Sequence, residues 1–296
     1  MANSFAKIQK YITLLDEVYK QSSRTAVLEA APELVRQGAQ TNQILIPKID
    51  MDGLGDYSRA DGYVSGDASL TWETKTFDYD RGRRFTVDAM DDEETAGLAF
   101  GKLASEFVRT KVVPELDAYR FATYAAAAGT TASAVLSAGA DVVSAITTAN
   151  SAMDDAEVNA EGRFLFITPT LKNLITAMDT TKSREMLDGF EQIIPVPSTR
   201  FYSAISMLSG KVVTVAGESV DETAGGYTKA SSGKNLNFMI VQKNALIQYT
   251  KHNVNKIIPP SENQSSDGWL FFYRAYGIAE VYANKTKGIY AHLSTT

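Results

Sequence analysis

The sequence has no cysteine, only two histidines and no long hydrophobic run, and each of these shortages argues against a class of protein. Without cysteine the chain forms no disulfide, no thiolate zinc site and no cysteine nucleophile. His252 and His292 lie outside any H-E-x-x-H pattern, so a zinc protease site is not indicated. No apolar run approaches the roughly 18 residues that a membrane-spanning helix needs. We therefore expect a protein outside the membrane.

The charge balance does not favour a nucleic-acid-binding protein. The chain carries 29 basic and 35 acidic residues, a formal net charge of -6. A protein that grips a phosphate backbone usually presents a clustered basic stripe, whereas the arginine clusters here lie among acids. The opening stretch MANSFAKIQKYITLLDEVYK is interrupted by charges and lacks a small-residue cleavage site, so it does not predict a signal peptide. We expect a protein that is soluble and cytoplasmic at synthesis.

The first ninety residues predict a helix followed by strands. Apolar residues recur at spacings of three and four between residues 3 and 31, as in an amphipathic helix. Residues 42 to 89 are β-like, with Pro47 marking a strand edge. We predict that LTWETKTFDY and RRFTVDAM are two strands around a turn at residues 80 to 82. This segment would be a long β-arm with a polar tip.

The strongest helix prediction covers residues 92 to 128. Asp91 is a good N-cap, and Glu94 has the spacing of a capping box. The four acids from Asp91 to Glu94 lie where the positive end of the helix dipole favours negative charge. Pro114 removes one backbone hydrogen bond, so we expect a kink there, and we expect Gly129 to end the helix.

Beyond residue 140 the patterns of helix and strand alternate, as in a mixed α/β domain. DVVSAITTANSAM and PTLKNLITAM predict helices, whereas RFLFITP, EQIIPVP, KVVTVAG and NLNFMIV predict strands. Residues 217 to 234 are rich in Gly, Ser and Thr, so we expect a mobile surface loop. The last fifty residues are aromatic and β-rich. Taken together, the elements indicate the α+β fold class.

No motif in the chain indicates an enzyme. There is no G-x-S-x-G elbow, no P-loop and no G-x-G-x-x-G fingerprint. Residues 50 to 61, DMDGLGDYSRAD, imitate a calcium loop, but the fifth position is Leu54 and the twelfth is the short Asp61. A solvated loop is the favoured interpretation. The run from Asp91 to Glu94 fits helix capping better than a metal site, because neighbouring side chains on a helix point in different directions.

One charged segment, FDYDRGRRFTVDAMDDEETAG from Phe77 to Gly97, holds three arginines and seven acids. Positive and negative charges that alternate along a short segment favour a role in aligning the segment against a partner over a role in binding an anion. We predict that its arginines pair with its own acids or with the same acids of a neighbouring subunit. The candidate inter-subunit contacts are Asp78, Asp80, Arg81, Arg83, Arg84 and Asp88.

The order of these elements resembles the major capsid proteins of tailed bacteriophages, which have the Hong Kong 97-like fold. The resemblance covers nearly the full length and rests on several stretches taken in order. These stretches are GDYSRADGYVSGDASLTWETKTFDYDRGRRFTVDAMDDEET, EFVRTKVVPELDAYRFATY, LFITPTLKNLI, IIPVPSTRFY, NFMIVQKNALIQYTKHNVNKIIPP and FFYRAYGIAEVYANKTKGIYAH.

The resemblance implies a division of the chain and a role for it. The implied segments are an N-terminal arm (1–45), an extended β-hairpin E-loop (46–88), a peripheral domain with a long spine helix (89–132), a mixed α/β axial domain (133–245) and the return of the peripheral domain (246–296). The implied role is structural and not enzymatic. Copies of the chain would assemble into hexamers and pentamers of an icosahedral shell around double-stranded DNA.

The resemblance also implies partners and a location. The chain would contact other copies of itself, a separate scaffold, a portal and in some shells decoration proteins. It would enclose DNA without sequence-specific binding, and it would need neither a cofactor nor a membrane. The implied location is the virion, after assembly in the host cytoplasm. Some members crosslink through Lys, Asn and Glu; Lys48, Asn284 and Glu280 supply these residue types, but no motif ties them together.

Two further hypotheses stay open. An encapsulin-type nanocompartment shell of related fold would hold cargo enzymes instead of a genome, and particle size and contents would separate the two. A protein of another class, a carboxylate-dependent metal enzyme, would use Asp50, Asp52, Asp91 and Asp92. Metal-dependent thermal stabilisation would support that hypothesis, since an ion that binds only the folded state raises its stability.

Overall fold

A computed structural model describes residues 23–29, 36–37, 42–60, 62–90, 98–178, 180–215 and 218–295 of the 296-residue chain. The α-helices of these residues are α1 (Leu98–Phe107), α2 (Val113–Ala126), α3 (Gly139–Asp155), α4 (Pro169–Met178) and α5 (Thr181–Asp188). The strands are β1 (Arg36–Gln37), β2 (Gln43–Met51), β3 (Ala68–Thr76), β4 (Tyr79–Asp88), β5 (Thr130–Ser133), β6 (Arg163–Ile167), β7 (Gln192–Pro195), β8 (Ile205–Met207), β9 (Val212–Val215), β10 (Glu218–Asp221), β11 (Tyr227–Lys229), β12 (Leu236–Gln242), β13 (Leu246–Ile258), β14 (Gly268–Val281) and β15 (Ile289–Leu293). None of the helices in this described part is long and apolar enough to cross a membrane.

The largest sheet has five strands and is buried on both faces. Its strand order is β5-β15-β12-β6-β7. The central strand β12 is antiparallel to β15 and β6, whereas the edge strands β5 and β7 are parallel to β15 and β6, respectively. In β6, Phe164 and Phe166 join the core that contains α2, whereas Leu165 and Ile167 join the core that contains α3 and α4. A strand covered on both faces reads as one apolar run, so the prediction of a buried strand at RFLFITP is confirmed. The two predicted helices on either side of it are confirmed as α3 and α4.

A second sheet, β13-β14-β4, is antiparallel and packs on the helical stretch that precedes β5. Alternate residues of β14 supply the contacts, because successive side chains of a strand point to opposite faces. Phe271 and Tyr273 of β14 pack with Tyr79 of β4 against Val112 and Leu116. The prediction of a β-rich C-terminal region is confirmed, because this region forms β13 and β14 of this sheet and β15 of the five-stranded sheet.

The strands β2 and β3 form a long hairpin that is attached to the body only at its base. They pair over nine residues and are joined by residues 52 to 67, while β1 adds two further pairs to β2. The base residues Ile44, Ile46 and Phe77 are buried against β13 and β14. Nearly every described residue between Lys48 and Trp72 is exposed. The loop imitating a calcium site is flanked by strands, as the sequence predicts.

The predicted hairpin with a turn at residues 80 to 82 is wrong. The segment is a continuous strand, β4, which pairs with β14 at ten positions, and β3 pairs with β2 instead. Gly82 is needed for close approach of two backbones, because a Cβ there would lie 2.8 Å from the carbonyl oxygen of Tyr273. A glycine between charged residues signals a turn in the sequence, but the pairing with β14 decides the outcome.

The predicted helix from 92 to 128 is confirmed in the described part, with a change of geometry in the middle. Helix α1 is followed by a π-helical segment, Val108–Val112, and then by α2, whose second residue is Pro114. Proline has no N–H to donate, so the irregularity falls where the sequence predicts a kink. Helix α2 ends at Ala126, three residues before the predicted stop at Gly129. The predicted cap at Asp91 and Glu94 lies outside the described residues.

Residues 217 to 234, expected to be a mobile loop, contain two strands. Strand β10 pairs with β9, and β11 pairs with β8. The connection between β10 and β11 turns at Gly225 and Gly226, which have φ values of +66° and +86°. These values are open to glycine at little cost, so the glycines that suggested a loop are turn residues between short strands.

The predicted N-terminal helix from 3 to 31 lies mostly outside the described residues, but residues 23 to 29 are docked on α2. Asp117 of α2 is fully buried and accepts five hydrogen bonds. The donors are the hydroxyls of Ser23 and Thr25, the backbone N–H groups of Arg24 and Thr25, and the guanidinium of Arg200 at 3.0 Å. Leu28, 1% exposed, anchors the same segment in the core.

We expect Asp117→Ala to lower the free energy of unfolding by about 3–5 kcal/mol, because it leaves Arg200 and several buried donors without an acceptor. Chemical denaturation of the full chain measures the change. Asp155→Ala, which removes an exposed carboxylate, is the control and should cost less than about 0.5 kcal/mol. Equal stability of the two variants would contradict the anchoring role of Asp117.

Candidate interaction surface

The six charged residues singled out in the sequence lie on or beside β4, and the structure separates them by face. Arg81 and Arg83 alternate along β4 with Asp80, Arg84 and Asp88, so the two groups point to opposite sides of the sheet. Arg81 and Arg83 share the side of Tyr79, which packs against the helices.

Arg81 joins three parts of the chain. Its Nε donates to Glu115 Oε1 of α2 at 2.7 Å, and a second nitrogen donates to the carbonyl oxygen of Gly226 at 3.2 Å. Glu115 is 9% exposed, so this ion pair is largely buried. Burial raises the pKa of the neighbouring Tyr79 hydroxyl well above its ordinary value, and the Glu115 charge adds to the effect. Arg81 therefore holds β4, α2 and the loop before β11 in one arrangement.

Arg83 holds the segment between β8 and β11 against β4. Its guanidinium donates to the carbonyl oxygen of Thr223 at 2.9 Å. A Cβ at Gly210 or Gly225 would lie 3.1 or 3.0 Å from the same guanidinium, and both glycines have positive φ. Glycine at these two positions thus leaves the space that Arg83 occupies.

Asp78 and Asp80 also have partners within the subunit. Asp80 accepts two hydrogen bonds from Arg274 of β14, at 2.8 and 2.6 Å, and these bonds lower the pKa of its carboxyl. Asp78 accepts a hydrogen bond from the Tyr119 hydroxyl of α2. Burial raises the pKa of Tyr119, and the hydrogen bond to Asp78 raises it further.

Arg84 and Asp88 are the members of the set most open to a neighbour. Arg84 is exposed and forms no ion pair with any described residue. Asp88 is also exposed, and within the described part of the chain its carboxylate accepts one hydrogen bond, from the backbone N–H of Met90. None of the segment's arginines forms an ion pair with an acid of the same segment in the part of the chain that the structure describes, which leaves out Asp91 to Glu94. In the described residues, the charged partners of Arg81 and Asp80 come from α2 and β14, at sequence separations of 34 and 194. Contact between the six residues and a neighbouring subunit stays a prediction.

The sequence reasoning missed the most exposed apolar surface of the described residues, which lies on the β2–β3 hairpin. Leu54 is fully exposed, Tyr63 is 90% exposed, and Tyr57 packs edge-on against Tyr63 with ring centroids 4.9 Å apart. The exposed large apolar side chains of the hairpin are Ile49, Met51, Leu54, Tyr57, Tyr63, Val64, Leu70 and Trp72. The available signal was the presence of large apolar residues in a stretch otherwise rich in Gly, Asp and Ser. A concentration of this kind marks a surface that a partner covers.

The base of the hairpin is tied to the body by charge as well as by apolar contact. Lys75 Nζ lies 3.2 Å from Glu73 and 3.2 Å from Glu280 of β14. Burial of Lys75 opposes its charge, but the bonds to the two carboxylates outweigh that effect and raise its pKa. Glu280 is thus engaged with Lys75, and no hydrogen bond joins Lys48, Asn284 and Glu280 in the described part of the chain.

A groove of about 1210 Å³ runs beside β4. We call it the β4 groove. Its walls are β4, the C-terminal end of α1 with the π-helical segment, and the segment from β8 to β11. Its aromatic lining is Tyr79, Phe85, Phe107, Tyr202, Tyr227 and Tyr273, and its charged lining is Asp80, Arg81, Arg83, Glu106, Lys111, Glu115 and Lys229. Burial raises the pKa of Tyr227 to about 12.

The carboxylate-metal hypothesis gains no support from the described residues. Among them, no three His, Asp or Glu side chains converge as metal ligands would. Asp52 is bound to the backbone N–H of Asp67 at 2.8 Å, within the tip of the hairpin. Asp91 and Asp92 lie outside the described residues.

Comparison with known proteins identifies the fold. No family model matches the chain, and no curated protein matches it. Solved structures do match. The mature capsid of bacteriophage PhiM1 has a TM-score of 0.58 and 11% identity over 88% of this chain and 84% of that chain. The capsid of the cyanophage P-SCSP1u has a TM-score of 0.55 and 12% identity over 88% and 86%. A virus-like particle from Pyrococcus furiosus has a TM-score of 0.55 and 10% identity over 96% and 98%.

The chain therefore has the mixed α+β fold of these phage capsid structures, and the predicted fold class is confirmed. At 10–14% identity the likeness establishes the fold and leaves the function to be argued from the surface.

We expect Arg81→Ala to lower the free energy of unfolding by about 2 kcal/mol, because it leaves the buried Glu115 carboxylate unpaired. Arg84→Ala, three positions along the same strand, is the matched control and should change stability by less than about 0.5 kcal/mol. Chemical denaturation of both variants tests the assignment. The same loss in both would mean that Arg81 does not hold α2 and β4 together.

Proposed function

We propose that this chain is the structural subunit of an icosahedral viral capsid. Copies assemble into hexamers and pentamers that enclose double-stranded DNA. The observation that carries the proposal is the shared fold with phage capsid structures over about nine tenths of the chain. The role is structural and not enzymatic.

The exposed apolar hairpin supports the proposal from an independent direction. A two-stranded hairpin is marginally stable by itself in water, and large apolar side chains at its tip remain solvated in the isolated subunit. Contact with a neighbouring subunit removes this surface from water, at a gain of roughly 25 cal/mol per Å² of apolar area. We assign the hairpin to the E-loop, α1 and α2 to the spine helix, and the five-stranded sheet with α3, α4 and α5 to the axial domain. Strand β15 belongs to this sheet although it lies in the range 246–296 that the resemblance gives to the peripheral domain, so the axial domain also takes in residues 289–293.

The composition fits a shell around DNA. The net charge of -6 limits adhesion between the shell and the packaged polyanion, so the DNA is enclosed without sequence-specific binding. The further partners are a separate scaffold, a portal and in some shells decoration proteins. Assembly takes place in the host cytoplasm, and the product resides in the virion.

A second candidate function is a shell without a viral genome. It is favoured by the likeness to the virus-like particle from Pyrococcus furiosus, which covers 96% of this chain and 98% of that chain. An encapsulin-type nanocompartment of this kind would hold cargo proteins. The size and contents of the particles separate the two functions.

Electron microscopy of the purified, concentrated protein tests the proposal. We expect closed shells, tubes or six-fold rings. Shells whose interior is large enough for a viral genome would favour a capsid over a nanocompartment. Monomers alone at every concentration up to the solubility limit would contradict the proposal.

We expect Leu54→Ser combined with Tyr63→Ser to raise the subunit concentration needed for assembly at least about tenfold, since both side chains are hairpin anchors. The melting temperature of the isolated subunit should not change, because both side chains are exposed. Val135→Ser removes an apolar side chain, 58% exposed, outside the hairpin and serves as the control. Normal assembly of the double variant would show that the hairpin tip is not an interface.

A further inference from the structure

One polar side chain joins three strands at an edge of the five-stranded sheet. Asn237 lies at a bulge in β12, where the pairing with β15 passes directly from Leu236 to Phe238. A bulge leaves one residue outside the ladder and can re-aim its side chain. The side-chain nitrogen of Asn237 lies 3.0 Å from the carbonyl oxygen of Ala134, just after β5, and 3.3 Å from that of Leu293 in β15. The bulge residue therefore connects β12, β15 and the end of β5.

The third contact of this side chain is with His292, one of the two histidines of the chain. Asn237 Nδ2 lies 3.1 Å from His292 Nδ1. The two carbonyl oxygens fix the orientation of the amide, because they can only accept and a reversed amide would direct its own oxygen at both of them. The amide nitrogen therefore donates to Nδ1, and the neutral ring carries its proton on Nε2. We call the contacts of Asn237 with Ala134, His292 and Leu293 the Asn237 clamp.

The surroundings of His292 do not favour a positive charge. Its side chain is 3% exposed and stacks on Phe238 with ring centroids 4.8 Å apart. Helices α3 and α4 cover this face of the sheet with apolar side chains, and β5 contributes Ala132. Tyr290, a titratable side chain on the same face, has its own pKa raised by burial. Burial lowers the pKa of His292, and no charged side chain of the described residues contributes to that shift.

We propose that the Asn237 clamp is an acid-sensitive latch on the largest sheet. Uptake of a proton at His292 Nδ1 turns the acceptor into a donor that faces the N–H groups of Asn237. Neither group can turn away, since the two carbonyls hold the amide and packing against Phe238 holds the ring. The clamp then opens, and β5 and the end of β15 separate from β12. The latch belongs to the folded subunit, so it goes beyond the proposed function and does not rest on it.

The direction of the pH effect follows from the neutral state of the ring. Because the pKa of His292 in the folded chain lies below its usual value of about 6.5, the open form binds the proton more tightly. The closed arrangement is therefore favoured above that pH and loses stability as the pH falls below it. The other histidine, His252, is exposed on β13 in the other sheet, so it provides a matched control.

Hydrogen exchange of the full chain, followed by mass spectrometry at about pH 7.5 and about pH 5, tests the latch. After correction for the intrinsic exchange rates, we expect the amides of residues 130–134 and 289–293 to exchange at least about tenfold faster at the lower pH. The amides of β6, which pairs with β12 on its other side, should change less than about twofold. Equal protection of residues 130–134 and 289–293 at both pH values would overturn the inference.

Two variants separate the latch from general destabilisation by acid. His292→Asn keeps an acceptor oxygen near the position of Nδ1 but cannot take up a proton, so the pH dependence at residues 130–134 should fall to less than about twofold. His252→Asn removes the exposed histidine and should behave like the wild-type chain. The same pH dependence in all three chains would show that another group is responsible.

Nuclear magnetic resonance of the imidazole keeps the test independent of whether His292→Asn folds. In the His252→Asn chain one imidazole remains, so its ring nitrogen signals need no further assignment. At about pH 7.5 these signals should show the neutral tautomer with the proton on Nε2. A proton on Nδ1 at that pH would overturn the inference, because His292 would then offer Asn237 no acceptor.

Discussion

Helix α2 packs against both sheets, and the rest of the molecule is arranged around it. Phe121 and Tyr124 lie in the core beneath the five-stranded sheet, whereas Leu116 lies in the core beneath the three-stranded sheet. Because α2 is buried by a sheet on each side, the two sheets are held together through it. Neither sheet can move away from α2 without exposing apolar surface to water. Three buried positions of this helix are nevertheless charged, namely Glu115, Asp117 and Arg120.

Those charged positions connect α2 to segments that are far away in the sequence. Glu115 binds Arg81 of β4, and Asp117 binds residues 23–25 together with Arg200. Arg120, 2% exposed, donates to Thr25 at 2.9 Å. Buried ion pairs contribute little net stability compared with apolar packing, but removing one partner is costly. Their consequence is a defined position for β4 and for the chain that enters from the N-terminal side.

The hairpin differs from this body in how it is stabilised. Its base is held by apolar contacts around Phe77 and by the Lys75–Glu280 ion pair, while its outer two thirds have almost no buried side chain. The hairpin therefore projects from the body with most of its large apolar side chains exposed.

The local patterns of the sequence determined much of the secondary structure. The continuous apolar run at RFLFI, the helical spacing in α3 and α4, and the irregularity before Pro114 follow from side-chain periodicity and from the missing proline N–H. The sequence also indicated the α+β class, and the order of its elements resembled the capsid fold.

The sequence could not determine which residues far apart along the chain contact one another. Gly82 was assigned to a turn, and the arginines of β4 were paired with nearby acids. Only the tertiary structure places β14 beside β4, where Gly82 allows two backbones to approach, and only there do Arg81 and Asp80 meet Glu115 and Arg274. An ion pair depends on distance in space, so the packing of α2 between the sheets and the pairing of β4 with β14 decide which charges are close.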